Sequence, residues 1–270
     1  MNKIIQIQEN ALLSFSRNAQ PGRPVGIYLY FSGTNAATKT ADLSALGTLT
    51  VKRGGRTVVN RTIKSLANYA DVRFGSNYFS STVAAVFAAT VFIPFYEEGL
   101  LQSLDIQGDS ELVISYEPKQ AGLAEFADLN VTAYTSEGYQ TEPERYEFYI
   151  LGDDQAITGA VTKPYQLNND NITAIYLEDP STVVANVGYK NNNGQIFSSQ
   201  PWNVLLGSTL IENRLESSTF DMIELQMFSK GEATSYTNKR NSIEIETSGA
   251  GTVNITKTFL IPNERFMDWI

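Results

Sequence analysis

Histidine and cysteine are both absent from the 270 residues of the chain. Without histidine there is no Ser-His-Asp relay, no usual general base and no imidazole ligand for a transition metal. Without cysteine there are no disulfides and no thiolate metal sites, so stability has to come from packing or assembly. A carboxylate pair could still hydrolyse glycosides, but the acidic residues lie mainly at turns or alternate with apolar ones. We expect a protein that is not an enzyme and that has no catalytic residues, metal or cofactor.

Positive charge and long apolar runs are also scarce. The chain has 20 basic and 29 acidic residues and a net charge of -9, which opposes binding to a nucleic-acid backbone. The most apolar stretch, Val83 to Tyr96, is interrupted by Thr90 and Pro94 and is shorter than the roughly 20 residues of a transmembrane helix. Met1 to Gln8 does not have the pattern of a signal peptide. We therefore expect synthesis in the cytoplasm without export, and no nucleic-acid partner.

Short runs in which apolar and polar residues alternate recur along the chain, with turn residues between them. This period of two is typical of strands with one buried and one solvated face. The apolar positions that share a face are Ile27, Leu29 and Phe31; Leu129, Val131 and Ala133; Tyr146, Phe148 and Ile150; Ile223, Leu225 and Met227; and Ile243 and Ile245. The residues expected on the wet faces of the last two runs are Glu224, Gln226, Glu244 and Glu246. The pattern predicts antiparallel sheets in a sandwich or barrel.

Helical patterns are few, and they occupy equivalent places in the two halves. One is Thr62 to Ala70, and the other begins at Ser199 to Trp202. Each follows a strand, a polar turn with glycine and a second short strand. These preceding segments are Gly47–Arg53, Gly54–Gly55 and Thr57–Asn60 in the first half, and Thr182–Tyr189, Asn191–Gly194 and Gln195–Ser198 in the second. Further on, Glu111–Glu117 resembles Gly251–Phe259, so we interpret the chain as a loose duplication.

The strand pattern is broken between the two halves. Thr141-Glu142-Pro143 and Gly152-Asp153-Asp154 are turn-forming sequences that lie between strand-like runs. A chain of this length is large enough for two domains, each with its own core. We predict domains at residues 1–152 and 153–270.

Two successive β units, each with its strand-turn-strand-helix unit, resemble the double jelly-roll major capsid proteins of tailless bacteriophages with an internal membrane. Corticoviruses and tectiviruses are the nearest groups, and the length suits the corticovirus type better. The stretch most similar to the family runs from Leu49 to Val58 and is followed by Ser65 and Leu66. The resemblance implies an all-β fold of two tandem eight-stranded jelly-roll barrels, 1–152 and 153–270, with short connecting helices.

The function that this resemblance implies is structural. Three chains would form a homotrimer whose six barrels make a pseudo-hexagonal capsomer. Neighbouring capsomers and other virion proteins would complete an icosahedral shell around an internal lipid membrane, so the expected location is the virion. The alternative is a two-domain β-sandwich adhesin or carbohydrate-binding protein, for which Trp202, Trp269 and the 14 tyrosines are candidate stacking platforms.

Both ends of the sequence are apolar, although chain ends are normally polar. Ile4, Ile5 and Ile7 near the start have the alternation of an ordinary strand. Near the end, the apolar residues lie beyond Pro262, which follows the last clear strand: Phe266, Met267, Trp269 and Ile270. We predict that these four residues form an assembly tail that locks adjacent chains together or contacts the internal membrane.

Overall fold

A computed structural model describes residues 2–19, 22, 24–37, 39, 41–74, 78–83, 85–95, 112–137, 146–166, 172–191, 196–213, 221–226 and 240–262. The chain divides into two compact units, the first formed by residues up to Tyr149 together with Pro262, and the second by Ile150–Ile261. The sequence predicts a domain boundary at residue 152. This residue is the last of strand β10 (Tyr146–Gly152), which crosses the division between the two units.

The first unit is built of strands joined by short helical segments. Its strands are β1 (Asn2–Asn10), β2 (Phe15–Asn18), β3 (Pro24–Asn35), β4 (Thr48–Arg53), β5 (Arg56–Thr62), β6 (Tyr78–Val83), β7 (Val86–Pro94), β8 (Leu112–Glu117) and β9 (Phe126–Glu137). The helix α1 (Ile63–Phe74) follows β5, and two 3-10 turns cover Leu43–Ala45 and Gln120–Glu125.

The strands of the first unit form two antiparallel sheets. One sheet has the order β1-β9-β3-β7-β6, and the other contains the order β2-β8-β4-β5. First and last strands are therefore neighbours in one sheet, and the second strand lies beside the last but one in the other. This wrapped order defines a jelly roll. Strand β6 is an additional strand at the edge of the first sheet.

The second unit repeats this architecture. Its strands are β11 (Gln155–Thr158), β12 (Thr162–Gln166), β13 (Ile172–Glu178), β14 (Val184–Asn191), β15 (Ile196–Pro201), β16 (Met222–Gln226), β17 (Arg240–Thr247) and β18 (Ala250–Pro262), with α2 (Trp202–Asn213) between β15 and β16. The sheets have the orders β11-β18-β13-β16 and β12-β17-β14-β15. The two units match strand for strand, which confirms the predicted all-β fold of two tandem jelly rolls.

The core of each unit lies between its sheets and contains the predicted apolar faces. Buried positions from these faces are Ile27, Leu29, Phe31, Leu129, Val131, Ala133, Phe148, Ile150, Ile223, Leu225, Ile243 and Ile245. In the first unit, Phe31 of β3 and Tyr116 of β8 come from opposite sheets, and their ring centroids are 5.8 Å apart. Such aromatic pairs contribute about 1 kcal/mol beyond the area that they bury.

The two helices occur where the sequence predicts them. The hydroxyl oxygen of Thr62 accepts a 3.2 Å hydrogen bond from the backbone N–H of Ser65 and thereby caps the start of α1. The helix continues past the predicted end at Ala70 to Phe74, because Val72 extends its buried stripe. Helix α2 begins at Trp202, within the start predicted at Ser199 to Trp202.

Two details differ from the expectations. Glu244, predicted on a wet face, is only 7% exposed, because it lies on the interior strand β17 between Pro164 and Gly188. Lys190 compensates its charge at 3.5 Å. Glu246 is exposed and Glu224 half-buried, whereas the side chain of Gln226 and all of Met227 lie outside the described residues. The sequence predicts that Glu111–Glu117 is equivalent to Gly251–Phe259, and this is wrong. Strand β8 corresponds to β17, because each is the last strand but one of its jelly roll, whereas Gly251–Phe259 lies in the last strand, β18.

Candidate interaction surfaces

A buried acidic residue of the second unit, Asp179, holds a turn in place. The carboxylate of Asp179 accepts hydrogen bonds from the backbone N–H groups of Val183, at 3.0 Å, and Val184, at 2.7 Å. These bonds fix the β13–β14 connection, where Thr182 adopts a positive φ of 53°. Because both carboxylate oxygens are already used inside the chain, Asp179 has a structural role.

A second polar cluster joins strands of the two sheets in the second unit. The hydroxyl of Tyr165 donates to Asp153, which also accepts a 3.0 Å hydrogen bond from Gln155. The Lys257 ammonium is 3.7 Å from Asp153 and 5.4 Å from the centre of the Tyr165 ring. Burial, with the neighbouring carboxylate as a smaller cause, raises the pKa of Tyr165 above its ordinary value. The cluster therefore keeps Tyr165 protonated as a hydrogen-bond donor.

A cavity of about 250 Å³ lies between the two 3-10 turns of the first unit. Its charged lining residues bind within the chain: Asp42 caps the first turn through the N–H of Ser44, Lys119 donates to the Ser44 carbonyl, and Glu125 pairs with Lys39. Gly122 lies so close to Ala45 that a Cβ would overlap the Ala45 carbonyl oxygen. This arrangement ties two loops together and does not present a set of free polar groups to a ligand.

A row of aromatic residues crosses the outer face of the first sheet in the first unit. Tyr28 of β3 is opposite Tyr134 of β9 on one side and Phe92 of β7 on the other. The Tyr28 and Phe92 rings lie 4.5 Å apart, and Tyr30, on the same face of β3, is exposed. We call Tyr28, Tyr30, Phe92 and Tyr134 the aromatic row. Phe92 is itself buried and Tyr28 and Tyr134 are half-buried, so Tyr30 is the ring of the row that is most accessible to a sugar or to another protein.

The helices α1 and α2 occupy equivalent places in the two jelly rolls but differ in burial. Helix α1 packs on β5, β7 and the first 3-10 turn, and eight of its 12 residues are buried: Ile63, Ser65, Leu66, Ala67, Asn68, Tyr69, Ala70 and Val72. Helix α2 packs on β14, β15 and β16 through a side that includes buried Trp202 and Thr209. Its opposite side carries Val204 and Ile211, which are 56% and 80% exposed.

We call Val204, Gly207, Ser208 and Ile211 the α2 outer face. With 3.6 residues per turn, these four positions lie together on the side of the helix opposite Trp202 and Thr209. Among residues 202–213 the only charged residue is Glu212, which lies beside this face. An uncharged helix side with a large exposed isoleucine is unusual for a solvated surface.

The residues that the sequence singles out have different outcomes. Trp202 is buried at the start of α2, so its prediction as a sugar-stacking platform is wrong. The tail residues Phe266, Met267, Trp269 and Ile270, and the alternative platform Trp269, lie outside the described residues, and their role stays a prediction. The α2 outer face was not predicted from the sequence. The tyrosines of the aromatic row are among the 14 candidate platforms, but their grouping with Phe92 was not predicted.

Membrane-spanning helices and metal-binding clusters are both absent from the part of the chain that the structure describes. Neither α1 nor α2 has the length and apolar character needed to cross a bilayer. Within the same described ranges, no three acidic side chains come together in a way that could hold a metal ion.

Two jelly rolls in tandem within one chain constitute the double jelly-roll fold. No family model and no curated protein matches the chain. Among solved structures, it is similar to the major capsid protein of bacteriophage PM2, with 13% identity, a TM-score of 0.69 and 98% of each chain covered. A chain from the Sulfolobus turreted icosahedral virus has 9% identity and a TM-score of 0.73, with 100% of this chain and 93% of that one covered.

A third similar structure is a chain of the PBCV-1 virus capsid, with 10% identity and a TM-score of 0.65 over 96% of this chain and 92% of that one. At sequence identities this low, the similarity is evidence for a shared fold. It extends over nearly the whole of both chains, so it includes both jelly rolls and not one domain alone.

Proposed function

We propose that this chain is the major capsid protein of a virus and has a structural rather than an enzymatic role. The observation that carries the proposal is the full-length similarity to the capsid protein of bacteriophage PM2, which covers 98% of both chains. A jelly roll alone occurs in proteins of many functions. A match that includes two jelly rolls in the same order and covers 98% of both chains is shared by far fewer kinds of protein.

The assembly that we propose begins with a homotrimer. Three copies with cyclic symmetry bring together six jelly rolls and make a pseudo-hexagonal capsomer, as the resemblance to corticoviruses implies. Contacts between neighbouring capsomers and with other virion proteins then produce an icosahedral shell around an internal membrane, so the protein is located in the virion. The chain has no cysteine, and burial between subunits supplies stability that disulfides do not.

Electron microscopy of the purified protein, combined with mass measurement in solution, tests this proposal. We expect a particle of three copies at micromolar concentration and shell-like particles or flat hexagonal arrays at higher concentration. A protein that remains a monomer, with a melting temperature independent of dilution, would contradict the capsid role, because a capsomer must be stabilised by its subunit contacts.

The aromatic row supports one alternative, a carbohydrate-binding or adhesive protein. A sugar ring can stack on the exposed Tyr30 beside the Tyr28 and Phe92 pair. A glycan array distinguishes the two functions: glycan binding that is lost in Tyr30→Ala, in a protein that stays monomeric, would favour the alternative. Self-association without glycan binding would favour the capsid.

A further inference from the structure

We infer that the α2 outer face docks on a second copy of this chain and forms part of the contact between subunits. This inference rests on the proposed function and adds the surface through which copies join. Exposed Val204 and Ile211 form its centre. The equivalent helix α1 has most of its residues covered within its own unit, so exposure of this position is specific to the second jelly roll.

Gly207 is a second feature of the α2 outer face that suits close approach by another chain. A glycine in the middle of a helix costs about 1 kcal/mol relative to alanine, but it allows another chain to approach the helix backbone closely. Among the residues that the structure describes, nothing lies within 4 Å of a Cβ added at Gly207. The space that Gly207 leaves is therefore open to a partner, and it lies between Val204 and Ile211 on the same side of the helix.

The charge of the protein favours a second copy as this partner. Each copy carries a net charge of -9, so acidic surfaces of two copies repel each other, and association is favoured where both surfaces are neutral. The α2 outer face is such a surface. A basic partner would prefer acidic surfaces instead. Helices that lie on a membrane carry Lys or Arg beside their apolar side, whereas α2 has neither.

In a cyclic trimer the contact is heterologous, which means that the α2 outer face meets a different surface of the next copy.

The variant Gly207→Gln tests this contact. Glutamine is a better helix former than glycine and has open space in the single chain, so the isolated subunit keeps or gains stability. In the assembly its side chain occupies the space of the partner. A second variant, Val204→Gln with Ile211→Gln, removes the apolar contact without adding charge.

The control is Val86→Gln, because Val86 has nearly the same exposure as Val204, 58% against 56%, and lies in the first unit. Analytical ultracentrifugation over a concentration series gives the association constant, and circular dichroism gives the melting temperature of the dissociated subunit. We expect at least about a tenfold weaker association for Gly207→Gln and for the double variant, with no drop in melting temperature and no change for Val86→Gln.

Two results would overturn the inference while leaving the capsid proposal intact. One is wild-type self-association that both variants retain at full strength. The other is a lower melting temperature of the dissociated variants, which would mean that the chain itself covers the α2 outer face. An equal weakening by Val86→Gln would also count against it. If the wild-type protein does not self-associate at any concentration, the proposed function and the inference are both wrong.

Discussion

The hydroxyl of Tyr165 donates a 2.8 Å hydrogen bond to Oδ2 of Asp153. Tyr165 lies on β12 and is buried, whereas Asp153 hydrogen-bonds through its backbone N–H to the carbonyl of Ile255 on β18. The pair therefore links one sheet of the second jelly roll to the other at the point where the chain enters this unit. Lys257, also on β18, contacts both partners.

Removal of this hydroxyl should destabilise the second unit modestly. Tyr165→Phe keeps the ring beneath Lys257 but loses the bond to Asp153, which still has Gln155, Lys257 and water as partners. We expect the free energy of unfolding to fall by about 1 kcal/mol in urea denaturation. Tyr30→Phe, at an exposed tyrosine, is the control and should have no effect. A loss as large from the control would show that the hydrogen bond is not the cause.

Alkaline pH should destabilise the protein through its buried tyrosines. Burial raises the pKa of Tyr116 to about 12 from 10.0, although a hydrogen bond from the N–H of Gly47 acts in the opposite direction. Below pH 10 the phenol is protonated in both states and its contribution is fully present. Between pH 10 and about 12 the unfolded chain loses this proton while the folded chain keeps it, so stability falls as pH rises.

The size of this effect is about 1.4 kcal/mol per pH unit for each such tyrosine at most. Urea denaturation of wild type and Tyr116→Phe at pH 9, 10 and 11 measures it, and the difference between their slopes isolates Tyr116 from lysine titration. Tyr165 contributes with the same sign in both proteins. Equal slopes for the two proteins above pH 10 would rule out the assigned role of Tyr116.

The contact between the two 3-10 turns should not tolerate a side chain at Gly122. A Cβ there would overlap the carbonyl oxygen of Ala45, and backbone cannot move away as a flexible side chain can. We expect Gly122→Ala to destabilise the first unit by roughly 2 kcal/mol. Gly159→Ala is the matched control, because none of the described residues lies within 4 Å of a Cβ at that position. Thermal unfolding measures both; similar melting temperatures for the two variants would refute the argument.

Two substitutions of the buried residue Asp179 should reduce stability by different amounts. Asp179→Ala leaves the N–H groups of Val183 and Val184 without their acceptors, and we expect a loss of roughly 3 kcal/mol. Asp179→Asn retains one acceptor oxygen, so its loss should be about half as large. Chemical denaturation checks this order. Equal losses from the two variants would mean that volume, and not the hydrogen bonds, determines the stability.

Much of the fold could be predicted from local patterns, because a strand or helix reports its own buried face. The alternation of Ile27, Leu29 and Phe31 identified a buried face of β3, and Thr62 identified the start of α1. The repeated strand-turn-strand-helix unit pointed to two equivalent halves. By contrast, burial of Glu244 depends on its place between Pro164 and Gly188 of the two neighbouring strands, which local alternation does not reveal.

The candidate surfaces required the three-dimensional arrangement. Tyr28, Phe92 and Tyr134 come from three strands, and only the register of β7, β3 and β9 brings them into one row. In α2 the apolar residues are distributed around the helix, so periodicity could not indicate which side lacks cover. The three-dimensional structure identifies the α2 outer face, because it shows that the opposite side of the helix packs on β14, β15 and β16.

The segment 263–270 supports a last prediction about shell formation. We propose that its apolar residues, Phe266, Met267, Trp269 and Ile270, bind a neighbouring subunit or the headgroup region of the internal membrane, where an indole can bury its ring and keep a polar partner for its N–H. Replacing all four with serine should leave a folded trimer that no longer forms shells or retains lipid. Serine at Glu264 and Asp268 is the control, because it changes the same segment without removing apolar contacts. Mass measurement follows the trimer, electron microscopy follows the shells, and a lipid assay follows the membrane. Shells with a normal lipid content from the apolar-to-serine variant would exclude this role for the four residues.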